Sequence, residues 1–374
     1  MLFETPRVNK READVIDQIT TLKTKLGYLV SSTPKRWTGI LRRNAFARAV
    51  RGSNSIEGYH LTLDDAIAVA GGEEPLDASD ETRAAVEGYR EAMTYVLQLA
   101  NDPHFTYSAA LLRSLHYMMI QHDLGKNPGR WRAGSIFVRD DQKRVTVYEG
   151  PSADLVPPLV DELMRVLNGA DASDTPPVVR AAMGHLNLVM IHPFADGNGR
   201  MARCLQTLIL ARTGTLAPEL SSIEEYLGHD VQSYYRVLAR VGHGAWHPER
   251  DARPWVRYCL TAHFRQATTL LRRARELDAV WVLAEEEVLR RKLPARTVYA
   301  VADAAYGWRI RNATYKQYAE VSEQVASKDL KLLVQAGLLV PKGERRGRSY
   351  EPSECLRTLR RKTVESKVVK DPFA

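Results

Sequence analysis

Apolar residues recur at helical spacing along most of this chain. Between Asp80 and Leu99, the residues Val86, Tyr89, Met93, Val96 and Leu97 fall on one stripe, which predicts a long amphipathic helix. Further helices are expected over Ser108–Met119, Leu155–Leu167 and Val178–Met190. After a polar interval, Ile191–Arg200, the residues Met201, Leu205, Leu208 and Ile209 mark another core helix. Ahead of these, the chain reads as helices broken at Ser31-Ser32-Thr33-Pro34 and at Gly58. Thr62 stands where an N-cap would precede Leu63-Asp64-Asp65.

One interval changes period. Ser135–Val138 and Arg144–Tyr148 are rich in β-formers and flank the polar Asp140–Lys143, which predicts a hairpin ended by Gly150-Pro151. Asn168–Pro177 reads as a loop. Helices continue to about Arg291, and the composition shifts beyond Leu293-Pro294, where a domain boundary is expected.

With 44% hydrophobic and 26% charged residues, the chain has enough apolar surface for a globular core. No apolar run approaches the ~20 residues that cross a bilayer, and Met1–Lys10 lacks the apolar stretch of a signal peptide. No membrane association is expected. Cys204, Cys259 and Cys355 have no metal-type spacing, which fits a reducing cytoplasm. The net charge of +8 is uneven: from Arg290 onward there are 19 Lys/Arg against 9 Asp/Glu. Such a tail fits a solvated surface as well as a surface for nucleic acid or an acidic partner.

The polar interval carries the chemistry. His192-Pro193-Phe194-Ala195-Asp196-Gly197-Asn198-Gly199-Arg200 joins two apolar helices. Gly197 and Gly199 allow close backbone approach to a ligand, and Asn198 tolerates an unusual turn. The helix that follows offers unpaired N–H groups and a positive dipole end. Arg200 and Arg203 add guanidinium groups to this anion nest. Asp196 supplies a hard oxygen for Mg²⁺ when phosphates provide other ligands. His192 accepts a proton near neutral pH. Together these parts point to phosphoryl or nucleotidyl transfer. Singly, each is equally at home in a structural turn.

The twelve residues HPFADGNGRMAR resemble the Fic family signature, His-Pro-Phe-x-Asp/Glu-Gly-Asn-Gly-Arg-x-x-Arg, at every fixed position. Leu115-His116, Gly129–Arg132, the hairpin, Ser233-Tyr234-Tyr235 and Arg253-Pro254-Trp255 are also similar to that family. The resemblance implies a mainly α fold, a helical Fic core with a β-hairpin flap. It also implies ATP with Mg²⁺ as cofactor and AMP transfer to a Ser, Thr or Tyr hydroxyl, with release of pyrophosphate. His192 and Arg200 take the catalytic positions and Asp196 the metal position. Gly197, Asn198, Gly199, Arg200, Arg203, Tyr234 and Tyr235 take the ATP-binding positions. Related Doc-like kinases carry Lys where this chain has Gly199, so adenylylation is expected rather than phosphorylation. The protein substrate includes the chain itself as an option, and a homodimer is a further one.

Ser53-Asn54-Ser55-Ile56-Glu57-Gly58 is similar to the family's inhibitory motif, placed ahead of the core. Glu57, on a helix, would pair bidentately with Arg203 and take the place of a phosphate. Ser53, Glu57 and Gly58 are the inhibitory residues. The expected organisation is an N-terminal helical region (1–79), a catalytic core (80–265), a helical linker (266–292) and a C-terminal domain (293–374).

An isolated hairpin exposes an edge that a target segment can extend, and the resemblance assigns this role to Ile136, Phe137 and Val138. In the tail, Gln317–Tyr350 reads as helix, turn, helix and wing. Tyr318–Ser322 supplies the first helix and turn, Glu323–Gln335 the second helix, and Lys342–Arg348 a basic tip. This looks like a winged helix-turn-helix, a module that binds DNA or docks a protein partner. Two other functions stay open: removal of AMP with Glu57 positioning water, and a DNA-binding regulator whose core senses nucleotide.

Overall fold

The helices form where the apolar stripes place them. The structure, a computed structural model, describes every residue except 32–36, 141–144, 170–173, 215 and 344–347. The N-terminal part contains α1 (Lys10–Ser31), α2 (Thr38–Ile56) and α3 (Leu63–Ala70). Thr62 caps α3 as expected, its side chain accepting from the Asp65 amide. The expected break after Ser31 falls largely outside the described residues.

Then come α4 (Asp80–Leu99), α5 (Ala109–Ile120), the hairpin β1 (Phe137–Asp140) and β2 (Val145–Glu149), and α6 (Val156–Asn168). Val86, Tyr89, Met93 and Val96 bury the predicted stripe of α4. The hairpin is antiparallel, with a register shift between Val138 and Arg139, and its expected tip lies outside the described residues. Two central helices follow, α7 (Pro177–Ile191) and α8 (Asn198–Ala211), and after them α9 (Glu224–His229), α10 (Val231–Gly242) and α11 (Arg253–Arg290). Among the described residues, no helix is long and apolar enough to cross a membrane.

The C-terminal part contains α12 (Val298–Tyr306), α13 (Asn312–Tyr318), α14 (Glu323–Gln335), the antiparallel pair β3 (Leu339–Lys342) and β4 (Ser349–Pro352), and α15 (Glu354–Thr363). The second helix of the expected module matches α14. The first is α13, which begins at Asn312, ahead of the expected Gln317, and ends at Tyr318; Ala319–Ser322 is the turn and Ser322 caps α14. Most of the basic tip lies outside the described residues.

Two apolar cores organise the chain. The first surrounds α7 and α8 and extends from Leu2 to Phe264. The second joins Leu26 and Trp37 to α11 beyond Leu270 and to the C-terminal part. The single 38-residue α11 contributes to both. Buried carboxylates staple distant elements. Glu12 of α1 accepts from Arg253 and Arg257 of α11, and Glu225 of α9 accepts a two-point contact from Arg273. Helices α2 and α9 touch backbone to backbone: a Cβ on Gly228 would lie 2.6 Å from the Gly52 carbonyl oxygen. That contact sets the end of α2, where Ser53 and Glu57 sit.

Candidate active site

The loop between α7 and α8 begins with a strained histidine. His192 ends α7 at φ 52°, ψ 58°, a left-handed conformation that few residues other than glycine adopt. Its Nδ1 lies 3.0 Å from the Val189 carbonyl oxygen. A carbonyl only accepts, so Nδ1 carries the proton and Nε2 keeps a free lone pair. Burial, with the Arg132 guanidinium nearby, holds the imidazole pKa below its ordinary value, so the ring is neutral at pH 7.

The rest of the loop is closed by reciprocal bonds. The Phe194 amide donates 2.9 Å to Asn198 Oδ1, and Asn198 Nδ2 donates 2.8 Å to the Phe194 carbonyl. The Phe194 ring stacks on His116 at 3.8 Å between centroids. His116 Nδ1 accepts from the Gly129 amide, so its Nε2 donates to the Asp196 carbonyl at 3.0 Å. Burial brings the His116 pKa down to about 4, which keeps that tautomer neutral.

Arg132 is the side chain that holds the backbone of His192 in place. Its Nε donates 2.8 Å to the His192 carbonyl, its Nη1 donates to Gly134, its Nη2 donates to Pro151, and its amide donates to Pro193. One buried guanidinium therefore ties the catalytic loop to both ends of the hairpin. The sequence placed Arg132 only in a flanking segment; nothing in its local pattern shows that four backbone groups converge on it.

Gly197, at φ 75°, turns the chain into α8. The first N–H groups of α8 lack intrahelical acceptors and form the floor of an anion site. Arg200 and Arg203 are each 1% exposed. Among the described residues, Arg200 Nε and Nη1 and Arg203 Nη1 have no hydrogen-bond partner. A buried guanidinium left unpaired is costly, so these three nitrogens are positioned for an anionic ligand. Gly199 leaves room for the Glu57 carboxylate beside Arg203: a Cβ there would lie 3.0 Å from Arg203 Nη1 and 2.5 Å from Glu57 Oε1.

Ser53 and Glu57 converge on Arg203, but not as a bidentate fork. Arg203 Nη2 donates 2.6 Å to Glu57 Oε1, while Nε donates 2.7 Å to Ser53 Oγ and Nη2 also reaches the Ser53 carbonyl at 3.1 Å. Ser53 occupies the Nε–Nη2 edge of the guanidinium, and Nη1 keeps no partner among the described residues. Glu57 lies just past α2, at its C-cap, and Gly58 makes the following turn at φ 86°.

Asp196 accepts from the Gly197 amide at 2.6 Å and from Lys126 Nζ at 2.8 Å. Burial raises its pKa, but Lys126, the Gly197 amide and Arg200 outweigh this and hold it below the ordinary carboxylate value. Asp196 is thus an ionised, half-exposed oxygen donor facing the same side as the nest, which fits a hard cation completed by phosphate and water oxygens. Lys126 had no signal in the sequence, because only the fold brings it to Asp196.

The two tyrosines separate. Tyr234 is buried, its hydroxyl meeting His185 Nε2 at 3.0 Å, and its ring lies 5.9 Å from the Arg203 guanidinium carbon. Tyr235 is 45% exposed and donates to the Ile56 carbonyl beside Glu57. In the hairpin, Phe137 is exposed and Val138 is half-buried. Ile136 lies ahead of β1, not in it; its carbonyl accepts from Gly150 and closes the hairpin base beside His192. Tyr148 anchors β2 by donating 2.7 Å to the Met190 carbonyl.

Comparison with known proteins agrees with this geometry. Residues 106–210 match the Fic/DOC family. The chain is 27% identical over 271 residues to a protein adenylyltransferase Fic of Nematostella vectensis, covering 68% of this chain and 55% of that one. It is 29% identical over 269 residues to the Drosophila melanogaster protein of that name, covering 67% and 48%. The chain thus spans about half the length of these relatives. Two solved structures share the fold. A Fic family protein from Desulfovibrio desulfuricans aligns with TM-score 0.56 at 22% identity, covering 94% of this chain and 98% of that one. A Fic domain containing signaling protein from Bacteroides thetaiotaomicron aligns with TM-score 0.56 at 23% identity, covering 69% and 96%.

Proposed function

From the match of residues 106–210 to the Fic/DOC family, we propose that the chain is an autoinhibited protein adenylyltransferase. One observation carries the reading: among the described residues, Arg200 Nε and Nη1 and Arg203 Nη1 are buried without a partner in the first turns of α8, and His192, which ends α7 just before this helix, keeps a free Nε2.

In this reading the triphosphate of ATP lies on the N-terminus of α8. His192 Nε2 takes the proton from a Ser, Thr or Tyr hydroxyl. The hydroxyl oxygen forms a bond to the α-phosphorus, the bond from that phosphorus to the bridging oxygen breaks, and pyrophosphate leaves. Arg200 and the N–H groups of Asn198 and Gly199 stabilise the charge that develops. Arg203 binds the γ-phosphate once Glu57 has withdrawn. Asp196 would hold Mg²⁺, which when bound neutralises phosphate charge. The free edge of β1 aligns the target segment through Phe137 and Val138 by main-chain pairing.

The C-terminal domain is assigned a nucleic acid duplex as partner. Its α14 presents Gln324, Lys328, Lys331 and Gln335 on one exposed face, and the tail carries 19 Lys/Arg against 9 Asp/Glu.

The test is incubation with ATP labelled at either the α- or the γ-phosphate, comparing the parent protein with Glu57→Gly. Label should enter protein only from the α position, with the mass gain of AMP. Transfer of γ-label would instead mark a kinase.

A further inference from the structure

Helix α2 ends at Ile56, just before the inhibitory Glu57, and α3 begins six residues after Glu57, so the helices that flank Glu57 are close in sequence. Both are gripped by the C-terminal domain. The Trp308 ring, in the loop after α12, is 6% exposed and packs between Ala47 of α2 and Ala66 and Ile67 of α3. Gly307 makes this insertion feasible, because φ 109° turns the chain sharply out of α12.

Charged contacts surround the wedge. Arg43 of α2 pairs with Asp303 of α12 at 2.5 Å, both buried. Arg48 of α2 lies over the Trp308 ring at 5.3 Å. Arg309 Nε meets Asp64 of α3 at 3.2 Å, and the Arg309 amide donates to the same carboxylate. Arg311 pairs with Asp65 at 3.7 Å and with Glu73 at 3.3 Å. Finally, Arg51 Nε donates 2.8 Å to the Leu61 carbonyl, which ties the last turns of α2 to the start of α3 across Glu57.

We propose that Trp308, Arg309 and Arg311 are positioning residues for Glu57: the C-terminal domain holds α2 and α3 in the one arrangement that keeps the carboxylate on Arg203. This rests on the reading of Glu57 as an inhibitor of nucleotide seating. From Ala47 to Glu57 the helix transmits displacement over roughly 15 Å at 1.5 Å per residue. A packed helix moves as a rigid rod, so loosening its contact at Ala47 shifts its end. The site and the C-terminal domain share no residue, and α2 is the link that runs from the Trp308 contact to Glu57.

The experiment uses the full chain and two readouts, hydrogen exchange across residues 52–58 and AMP transfer. Trp308→Ala removes the wedge. Arg309→Glu breaks the ion pair with Asp64 and a longer one with Glu351 at 3.8 Å without opening a cavity, and Asp64→Arg in that background restores the first pair with reversed sign. Faster exchange and more transfer are expected in both single variants, roughly two- to fivefold for Arg309→Glu and more for Trp308→Ala. The charge swap should return both readouts toward the parent. In a Glu57→Gly background neither substitution should raise transfer further, whereas simple loss of stability would lower it in both backgrounds. Unchanged exchange across 52–58 in both Trp308→Ala and Arg309→Glu overturns the proposal. Faster exchange with unchanged transfer would leave the clamp standing and overturn the inhibitory reading of Glu57.

Discussion

The Arg203 guanidinium donates a 2.6 Å hydrogen bond to Glu57 Oε1, and both groups crowd Gly199. The carboxylate lies where an anionic ligand would approach Arg203 Nη1, so the two compete for one position. A charge-assisted hydrogen bond contributes on the order of 1.5–3 kcal/mol. Glu57→Gly is therefore expected to raise AMP transfer, self-modification included, by roughly ten- to a hundredfold. Arg203→Ala should not mimic it, because it also removes the phosphate ligand, and the double variant should resemble Arg203→Ala. Equal transfer by Glu57→Gly and the parent would end the inhibitory reading. Loss of AMP removal from a pre-modified target would show that Glu57 serves the reverse reaction.

His192→Ala should abolish transfer and leave ATP binding near the parent value, measured by calorimetry in the Glu57→Gly background. The base acts in its neutral form, and burial lowers its pKa. The acid limb of the pH–rate profile therefore falls below the ordinary imidazole value of 6.5. More than a few per cent of residual transfer by the alanine variant would remove His192 from its role.

Arg132→Lys should lower kcat far more than it alters KM for ATP. The lysine keeps a charge but cannot serve the His192, Gly134 and Pro151 carbonyls together. A displacement of the base by about 1 Å costs on the order of a hundredfold. Steady-state kinetics in the Glu57→Gly background decide this, and an unchanged kcat would contradict it.

Stability should fall in acid through the two buried histidines. His116 and His185 titrate near 6.5 when unfolded but at about 4 and about 3 when folded. Below 6.5 the unfolded chain binds protons that the folded chain does not, so stability declines as pH falls toward those folded values. For His116 the loss approaches roughly 3 kcal/mol at the bottom of that window. Urea midpoints measured between pH 7 and pH 4.5 should drop less steeply for His116→Gln. Parallel slopes would refute the assignment.

Neutralising Arg348, together with Arg345 and Arg346 outside the described residues, should weaken duplex DNA binding across sequences and flatten its salt dependence. Fluorescence anisotropy of the full chain with a labelled duplex measures both. If the parent protein binds no DNA at low salt, the C-terminal domain docks protein instead.

The linear order of the chain already determined the helices and the chemical inventory. Apolar spacing placed α4 at Asp80–Leu99 and α14 at Glu323–Gln335, because helix formation depends on residues three and four apart. The His192–Arg203 run carried its base, its nest and its arginines within one loop and one helix turn, so local pattern sufficed to find them. Convergence from a distance was decided by tertiary structure. Lys126 reaches Asp196 from 70 positions away and Arg132 reaches the His192 carbonyl from 60, and no local pattern encodes such meetings. The geometry of Glu57 belongs to the same class. Its motif was visible, but its single-point contact with Arg203, with Ser53 on the Nε–Nη2 edge, depends on where α2 ends, and α2 crosses α9 closely at Gly52 and Gly228. Sequence sets which groups are present and which helices carry them. Packing between helices sets which of those groups meet, because close-packed side chains leave room for one arrangement.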